Sequence, residues 1–255
     1  MKTGDSNSEE LTLINSDAGF RLCRKRWLML TIFIAFSASV SYLWLQYASI
    51  SDIVASYYGV STTTVDMLGT LYYLMYALAI IPITWLTEKA NLKTVLLVGV
   101  SSQFVGTWVS FIGTSTQSIQ LNFVGQLLSA VALPCTFGMS SQMAGTWFGI
   151  NEVSLASGLG FAGCEVGVGL AFIIPPLAVQ SGLDIDKQIK DLFLYTAIVM
   201  SFFLPLTVFV FEAKPPLPPS RSRMNVIKAG KNENYLQSIK AVLRNRNYVF
   251  FFISF

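Results

Sequence analysis

Histidine is absent from all 255 residues of the sequence. Without an imidazole side chain, serine–histidine and cysteine–histidine nucleophiles cannot be assembled, and neither can an HExxH zinc site. The phosphate-binding pattern GxxxxGK[ST] is missing as well. We therefore expect no enzyme activity, no metal site, no cofactor and no nucleic acid partner.

Charged residues are also scarce, at 12% of the chain, whereas 53% of the residues are hydrophobic. A soluble domain of this size usually carries about a quarter charged residues. The mean hydropathy of +0.56 indicates the same preference for an apolar environment. Water is therefore not the main solvent of this chain, and we expect it to be embedded in a lipid bilayer.

Cysteine is rare too, and its placement argues against a disulfide. Cys23 lies beside a basic cluster, and Cys135 and Cys164 lie inside apolar runs. Because the count is odd and no cysteine falls in a predicted external loop, we expect no disulfide. Cys23 is either a spectator thiol, which we favour, or a palmitoylation site at the membrane face.

What the sequence does contain is a series of long apolar runs. A helix needs roughly 20 apolar residues to cross about 30 Å of hydrocarbon. The runs lack the alternation of transmembrane barrel strands, so we predict an all-α integral membrane protein. A seventh run begins at Tyr248 and continues to Phe255. The six complete runs cover residues 27–50, 67–87, 92–112, 119–142, 153–174 and 191–211.

These runs divide the chain into a tail (1–26), a six-helix bundle (27–211), a basic linker (212–247) and the start of a seventh helix (248–255). The tail has no apolar signal-peptide core, so we expect no cleavage. Four prolines between positions 215 and 219 end the sixth helix. Leu236, Ile239 and Leu243 then recur at helical spacing, which fits an amphipathic helix on the membrane surface and a solvated linker equally well.

Positive charge is unevenly distributed between the two sides of the predicted membrane. All lysines and arginines except Lys187 and Lys190 fall in the tail, the loop after the second run and the linker. Cytoplasmic loops keep positive charge, so we expect a cytoplasmic N-terminus, with the plasma membrane favoured and a mitochondrial or other organelle membrane left open. Two six-helix blocks joined by a cytoplasmic linker form a major facilitator transporter. The chain matches the N-terminal six-helix half of that fold.

Glu165 is an ionisable residue near the middle of a predicted span. A charged side chain at the bilayer centre costs about 2.5–3.5 kcal/mol on insertion scales, and such residues nearly always face a cavity or a partner. Glu165 is therefore our main candidate for substrate contact, as a proton-coupling group or as the counter-charge of a cation. The alternative is structural: a neutral carboxyl hydrogen-bonded across the bundle, or an ion pair with a further six-helix half.

Glycines surround Glu165 in the fifth run, including the small-xxx-small pair Gly163 and Gly167. Small residues let helix backbones approach closely, so we expect this run to pack against another helix. A glycine-lined cavity wall would give the same pattern. The run should end at Pro175 and Pro176.

Trp44 and Gln46 lie deep in the first run, and Gln126 lies in the fourth. A tryptophan that faces a cavity can hold an ammonium group by cation–π attraction worth up to about 2 kcal/mol. Buried amides such as Gln126 and Gln103 more often form interhelical hydrogen bonds than ligand contacts. The candidate substrate-binding residues are thus Trp44, Glu165, Gln46 and Gln126.

Short segments spread along the chain from Arg26 match a known pattern: 26–27 (RW), 44–50 (WLQYASI), 57–60 (YYGV), 82–86 (PITWL), 147–154 (WFGINEVS), 173–176 (IIPP) and 235–239 (YLQSI). Together they resemble the feline leukaemia virus subgroup C receptor-related family of the major facilitator superfamily, solute carrier family 49. The resemblance implies a twelve-helix facilitator that moves choline and ethanolamine. Transport of haem is also attributed to members of this family.

The resemblance also implies site residues. A helix-one tryptophan that corresponds to Trp44 cages the substrate ammonium, and a helix-five glutamine that corresponds to Glu165 contacts it. Glutamate at position 165 departs from the family, as does Val40, where several members have asparagine. The superfamily loop that latches the two halves survives in part through Glu88 and Lys93.

Two functional hypotheses follow. The first is a transporter of organic cations or haem, in which Trp44 and Glu165 line a central cavity that alternates between the two sides. Haem is the weaker substrate, because histidine ligation of its iron is impossible. The second is a truncated half that does not transport alone and needs a C-terminal half or an oligomer partner. A receptor ranks third, because the predicted external loops are short.

Overall fold

The computed structural model describes residues 24–149, 151–180 and 184–215. Cys23, residue 150, the linker beyond residue 215 and the start of the seventh run lie outside the described residues. The described elements are α1 (Lys25–Leu45), a 3-10 turn (Ala48–Ile50), α2 (Ser51–Tyr58), α3 (Thr62–Lys89), α4 (Leu92–Ser115), α5 (Ile119–Ala130), α6 (Ala132–Trp147), α7 (Val153–Ala178) and α8 (Ile185–Phe209).

Six helical segments of the described chain are long and apolar enough to cross a membrane, which confirms the predicted all-α membrane fold. Five of them are α1, α3, α4, α7 and α8. The remaining one, Ile119–Trp147, is fourth in chain order and is formed by α5 and α6 together. The break between α5 and α6 lies at Val131. Pro134 explains it, because a proline has no N–H to donate to the carbonyl four residues earlier, that of Ala130.

Several predicted helix ends were wrong. The second helix begins at Thr62 instead of residue 67, the fourth span ends at Trp147 instead of residue 142, and three further ends have a local cause. The first helix ends at Leu45 instead of residue 50, because the chain turns there into α2, which Gly59 closes in the left-handed conformation at φ 65°. The fifth helix continues through Pro175 to Ala178, since the Pro175 carbonyl still accepts the amide of Val179 at 2.9 Å. Within a bundle such prolines are tolerated.

The sixth helix begins at Ile185, earlier than the predicted residue 191. Its first turn is polar, and Lys190 Nζ lies 2.8 Å from a carboxylate oxygen of Asp186, one turn away. Such i,i+4 pairs stabilise a helix by a few tenths of a kcal/mol. Because this turn is polar, hydropathy alone does not show that the helix begins here.

Close backbone contact between α1 and α7 fixes the arrangement of the bundle. A Cβ atom on Gly163 would meet the backbone of Ile34, and one on Gly167 would meet the backbone of Ala38. The predicted packing role of these two glycines is confirmed. The spacing of the contacts also shows that α1 and α7 run parallel. Helices α4 and α5 are also in close backbone contact, at Gly106 and Gly125.

Both ends of the bundle are held by polar contacts. At the basal end, where α1 begins, Arg26 Nη1 lies 2.8 Å from Glu152 Oε2, and its guanidinium carbon lies 5.4 Å from the ring centre of Phe148. At the distal end, where α1 terminates, the Tyr57 hydroxyl lies within 3.0 Å of both the Thr114 carbonyl and an Asp186 oxygen. The Tyr57 contacts fasten α2 to the ends of α4 and α8.

Candidate functional site

A line of aromatic rings crosses one open side of the bundle, and we call it the aromatic face: Trp44, Tyr73, Tyr76, Phe137 and Phe161. The ring centres are 5.2 Å apart for Trp44 and Tyr73, 5.8 Å for Tyr76 and Phe137, and 5.9 Å for Phe137 and Phe161. Helices α1, α3, α6 and α7 each contribute to it. The residues are half-buried or exposed, with 60% of Tyr73 accessible.

Glu165 lies one helical turn beyond Phe161 on the same exposed side of α7. Gly163 and Gly167 turn the opposite side of this helix towards α1. The carboxylate therefore continues the aromatic face. Among the described residues, no lysine or arginine lies within ion-pair distance of Glu165.

Trp44 occupies the last turn of α1 and is half-buried. Its indole Nε1 donates a hydrogen bond of 3.2 Å to the carbonyl of Gly69 on α3. Its ring is nearly perpendicular to that of Tyr73, and the π system of an indole can attract a cation. Because the N–H is already bonded, Trp44 offers a substrate no free hydrogen-bond donor.

Trp44 and Glu165 lie at different depths in the bundle. The contacts of Gly163 with Ile34 and of Gly167 with Ala38 place Glu165 at the same depth as Phe36 of α1. From Phe36 to Trp44 the helix rises by about 12 Å. The structure therefore does not bring Trp44 and Glu165 into contact, and Glu165 lies at a depth between Phe161 and Trp44.

Gln46 and Gln126 lie inside the bundle, in a set of buried amides that we call the amide core: Gln46, Gln103, Asn122 and Gln126. Gln126 Nε2 donates to the Leu43 carbonyl at 3.4 Å. Both glutamines border an internal gap that is too narrow for a water molecule. The structure thus places neither amide on the aromatic face, and direct substrate contact by these two residues stays a prediction.

The predicted latch lies at the basal end. Lys93 Nζ donates to the Val208 carbonyl at 2.7 Å, where a cation complements the negative end of the α8 dipole. Glu88 belongs to the last turn of α3, and its side chain lies outside the described part of the chain. A latching role for the pair stays a prediction.

Our sequence reasoning missed four residues of this surface: Tyr73, Tyr76, Phe137 and Phe161. The spacing of Tyr73 and Tyr76 by three residues placed them on one side of a helix, which was an available signal. Phe137 and Phe161 gave none, because an aromatic residue in an apolar run is equally suited to lipid, core or cavity.

A family model described as "Major Facilitator Superfamily" matches residues 28–255. The choline/ethanolamine transporter flvcr2b of Danio rerio is 33% identical over 239 residues, which are 92% of this chain and 49% of that protein. The choline/ethanolamine transporter FLVCR2 of Homo sapiens is also 33% identical, over 98% of this chain and 47% of its own length. These relatives confirm the family resemblance, and the chain spans about half of their length.

The fold has a counterpart among solved structures. The Escherichia coli fucose:proton symporter FucP matches with a TM-score of 0.59, over 84% of this chain and 55% of that one. The sequence identity is 13%, so the likeness extends to the fold alone.

Proposed function

Because this chain belongs to the major facilitator superfamily, we propose that its aromatic face and Glu165 form one wall of the pathway of a membrane solute transporter. The observation that carries the proposal is the exposed carboxylate of Glu165 one turn from Phe161, whose ring contacts that of Phe137. Polar and ionisable residues in spans usually face a cavity or partner, because burial in lipid is costly.

The substrate class that this wall fits is a small organic cation such as choline or ethanolamine. Ring faces attract an ammonium group through their quadrupole, and Glu165 supplies the opposite charge. The name "choline/ethanolamine transporter" of the relatives supports the same class. Haem fits less well, since the chain contains no histidine and Cys135 and Cys164 are buried.

Transport by this surface requires a second wall. The aromatic face is open in the six-helix bundle, so a second six-helix half, or a second copy of the chain, would close it into a cavity. Rocking of the two walls would then expose the cation to one side and the other in turn. The distribution of lysine and arginine supports a cytoplasmic N-terminus, and we propose the plasma membrane as the location.

The alternative is a half-transporter that carries the aromatic face but does not transport alone. This alternative keeps the same binding wall, so binding and transport must be measured separately.

The test is therefore a pair of measurements on the 255-residue chain. Equilibrium binding of radiolabelled choline is measured on protein purified into lipid nanodiscs, and uptake is measured in cells that express it. We expect saturable binding that ethanolamine displaces. Binding with uptake supports a transporter, binding without uptake supports the half-transporter, and absence of choline binding contradicts the proposed substrate class.

A further inference from the structure

Two amides of α5 hold the chain on both sides of Trp44. Gln126 Nε2 donates to the Leu43 carbonyl at 3.4 Å, and the Tyr47 hydroxyl donates to Asn122 Oδ1 at 2.9 Å. Asn122 and Gln126 are one turn apart and are both buried. The α5 helix therefore contacts the residue before Trp44 and a residue just past the end of α1.

The contact with Leu43 satisfies a backbone group that the helix itself leaves free. The last four carbonyls of an α-helix have no intrahelical partner. In α1, the Tyr42 carbonyl accepts the backbone N–H of Gln46 at 2.9 Å, whereas the Leu43 carbonyl receives the side-chain amide of Gln126. Gln126 thus caps the helix end that carries Trp44.

The side chain of Trp44 is held by a different helix, α3. Its indole reaches Gly69 on α3, and its ring meets Tyr73. A shift of the last turn of α1 would therefore move the indole relative to Tyr73 and the rest of the aromatic face. The position of the ring depends on a backbone that Gln126 fixes.

We propose that Gln126 is a positioning residue for Trp44, which acts through the Leu43 carbonyl and not by touching the solute. The inference rests on the proposed function, because it assigns Gln126 to the same cation site. It also replaces direct contact with an indirect role for one of the four candidate residues.

Gln103 provides a matched control. It is as buried as Gln126, at 1% against 2% exposure. Its Oε1 accepts from the Ser39 hydroxyl at 3.2 Å, so it also joins a neighbouring helix to α1, but more than a turn before Trp44. Replacement of either glutamine by methionine removes one buried interhelical hydrogen bond and leaves a side chain of similar length.

The experiment is a double-mutant cycle on choline affinity in nanodiscs, with Gln126→Met, Trp44→Ala and the double variant. Loss of one hydrogen bond corresponds to about a fivefold change. We expect Gln126→Met to weaken choline binding by that factor, and to weaken it no further once Trp44 is alanine. Gln103→Met should lower the unfolding temperature similarly and leave choline affinity unchanged.

Two results would overturn the positioning role. One is an equal fivefold loss in the Trp44→Ala background, since independent sites add. The other is an equal loss of affinity in Gln103→Met, which would indicate a general effect on the fold. If Trp44→Ala itself leaves binding unchanged, the cation–π part of the proposed function fails together with this inference.

Should Gln126→Met not fold, Tyr47→Phe tests the second contact between α5 and the end of α1, that of the Tyr47 hydroxyl with Asn122. It removes one hydroxyl, and about a twofold loss of choline affinity is expected.

Discussion

Glu165 and Gln126 are both polar residues in the middle of apolar runs, yet the structure places them in opposite surroundings. Glu165 belongs to the exposed side of α7 and continues the aromatic face, whereas Gln126 is buried in the amide core. The carboxylate has no described ion-pair partner, and the amide donates to a backbone carbonyl of α1. The same bundle thus carries an open polar site and a closed polar scaffold.

The comparison separates two uses of polarity in a membrane protein. In the amide core, hydrogen bonds hold helices together where the hydrophobic effect between lipid-facing helices is absent. On the aromatic face, a charge remains available to a solute or to a second wall. A polar residue in a span can therefore touch a solute directly only when the structure leaves it accessible.

The largest effect should come from adding a side chain to the closed side of α7, which packs against α1. The same addition on the open side, which carries Glu165, is the comparison. A side chain at Gly167 would overlap the Ala38 carbonyl, whereas one at Gly169 meets nothing within 4 Å. We expect Gly167→Leu to cost about 3 kcal/mol of unfolding free energy, and Gly169→Leu to cost little. Chemical unfolding in detergent micelles gives both values. Equal destabilisation would mean that the two sides of α7 do not differ.

Removing the ring at the distal end of the aromatic face should have the next largest effect. Trp44→Ala should weaken choline binding about thirtyfold, which corresponds to a cation–π contribution of about 2 kcal/mol. Trp85→Ala is the control, because Trp85 is a tryptophan on another span, exposed and in contact with Lys89 at the basal end. Binding isotherms in nanodiscs measure both, and a similar loss in the control would remove the assignment.

The charge of Glu165 should contribute less than the ring. Glu165→Gln keeps the shape of the side chain and should weaken choline binding about tenfold, because a contact with an ionised group is worth about 1.5 kcal/mol. The neutral isostere 3,3-dimethylbutan-1-ol should bind equally to both forms. Competition binding tests this, and an equal loss for the isostere would show that shape, not charge, is recognised.

The smallest effect concerns Tyr57 of α2, at the distal end of the bundle. Partial burial, and then the nearby Asp186 carboxylate, raise the pKa of Tyr57 from 10.0 to about 12. A raised pKa means that the folded chain favours the neutral phenol, so its stabilising contribution is complete below pH 10 and is lost between about pH 10 and 12. Tyr57→Phe should flatten this alkaline loss of stability. Unfolding temperatures from pH 8 to 11 measure the slope, and an identical slope in both proteins contradicts the assignment.

The predicted runs agree with the observed spans because hydropathy reports length and composition directly. Three of the helix ends that were wrong lie at places where another interaction determines the helix boundary. The polar first turn of α8 contains the Asp186–Lys190 pair, and α7 retains a carbonyl acceptor at Pro175. Neither contact leaves a mark in the hydropathy of the sequence.

The candidate site was predicted in part. Trp44 and Glu165 lie on one open side of the bundle, as expected for the wall of a cavity, but at different depths. Gln46 and Gln126 lie inside the bundle, and the other four rings of the aromatic face were not foreseen. Sequence distance does not report which residues of separate helices share a surface.

By itself, the sequence determined that this protein lies in a membrane as a series of helices and which superfamily it belongs to. The reason is that a bilayer of fixed thickness, in which every backbone group needs a partner, permits few structures for such runs. Only the tertiary structure decided which polar residues face outward. Helix α7 is rotated about its axis so that Gly163 and Gly167 meet α1, which leaves Glu165 accessible, and α5 is rotated so that Gly125 meets α4, with Gln126 enclosed.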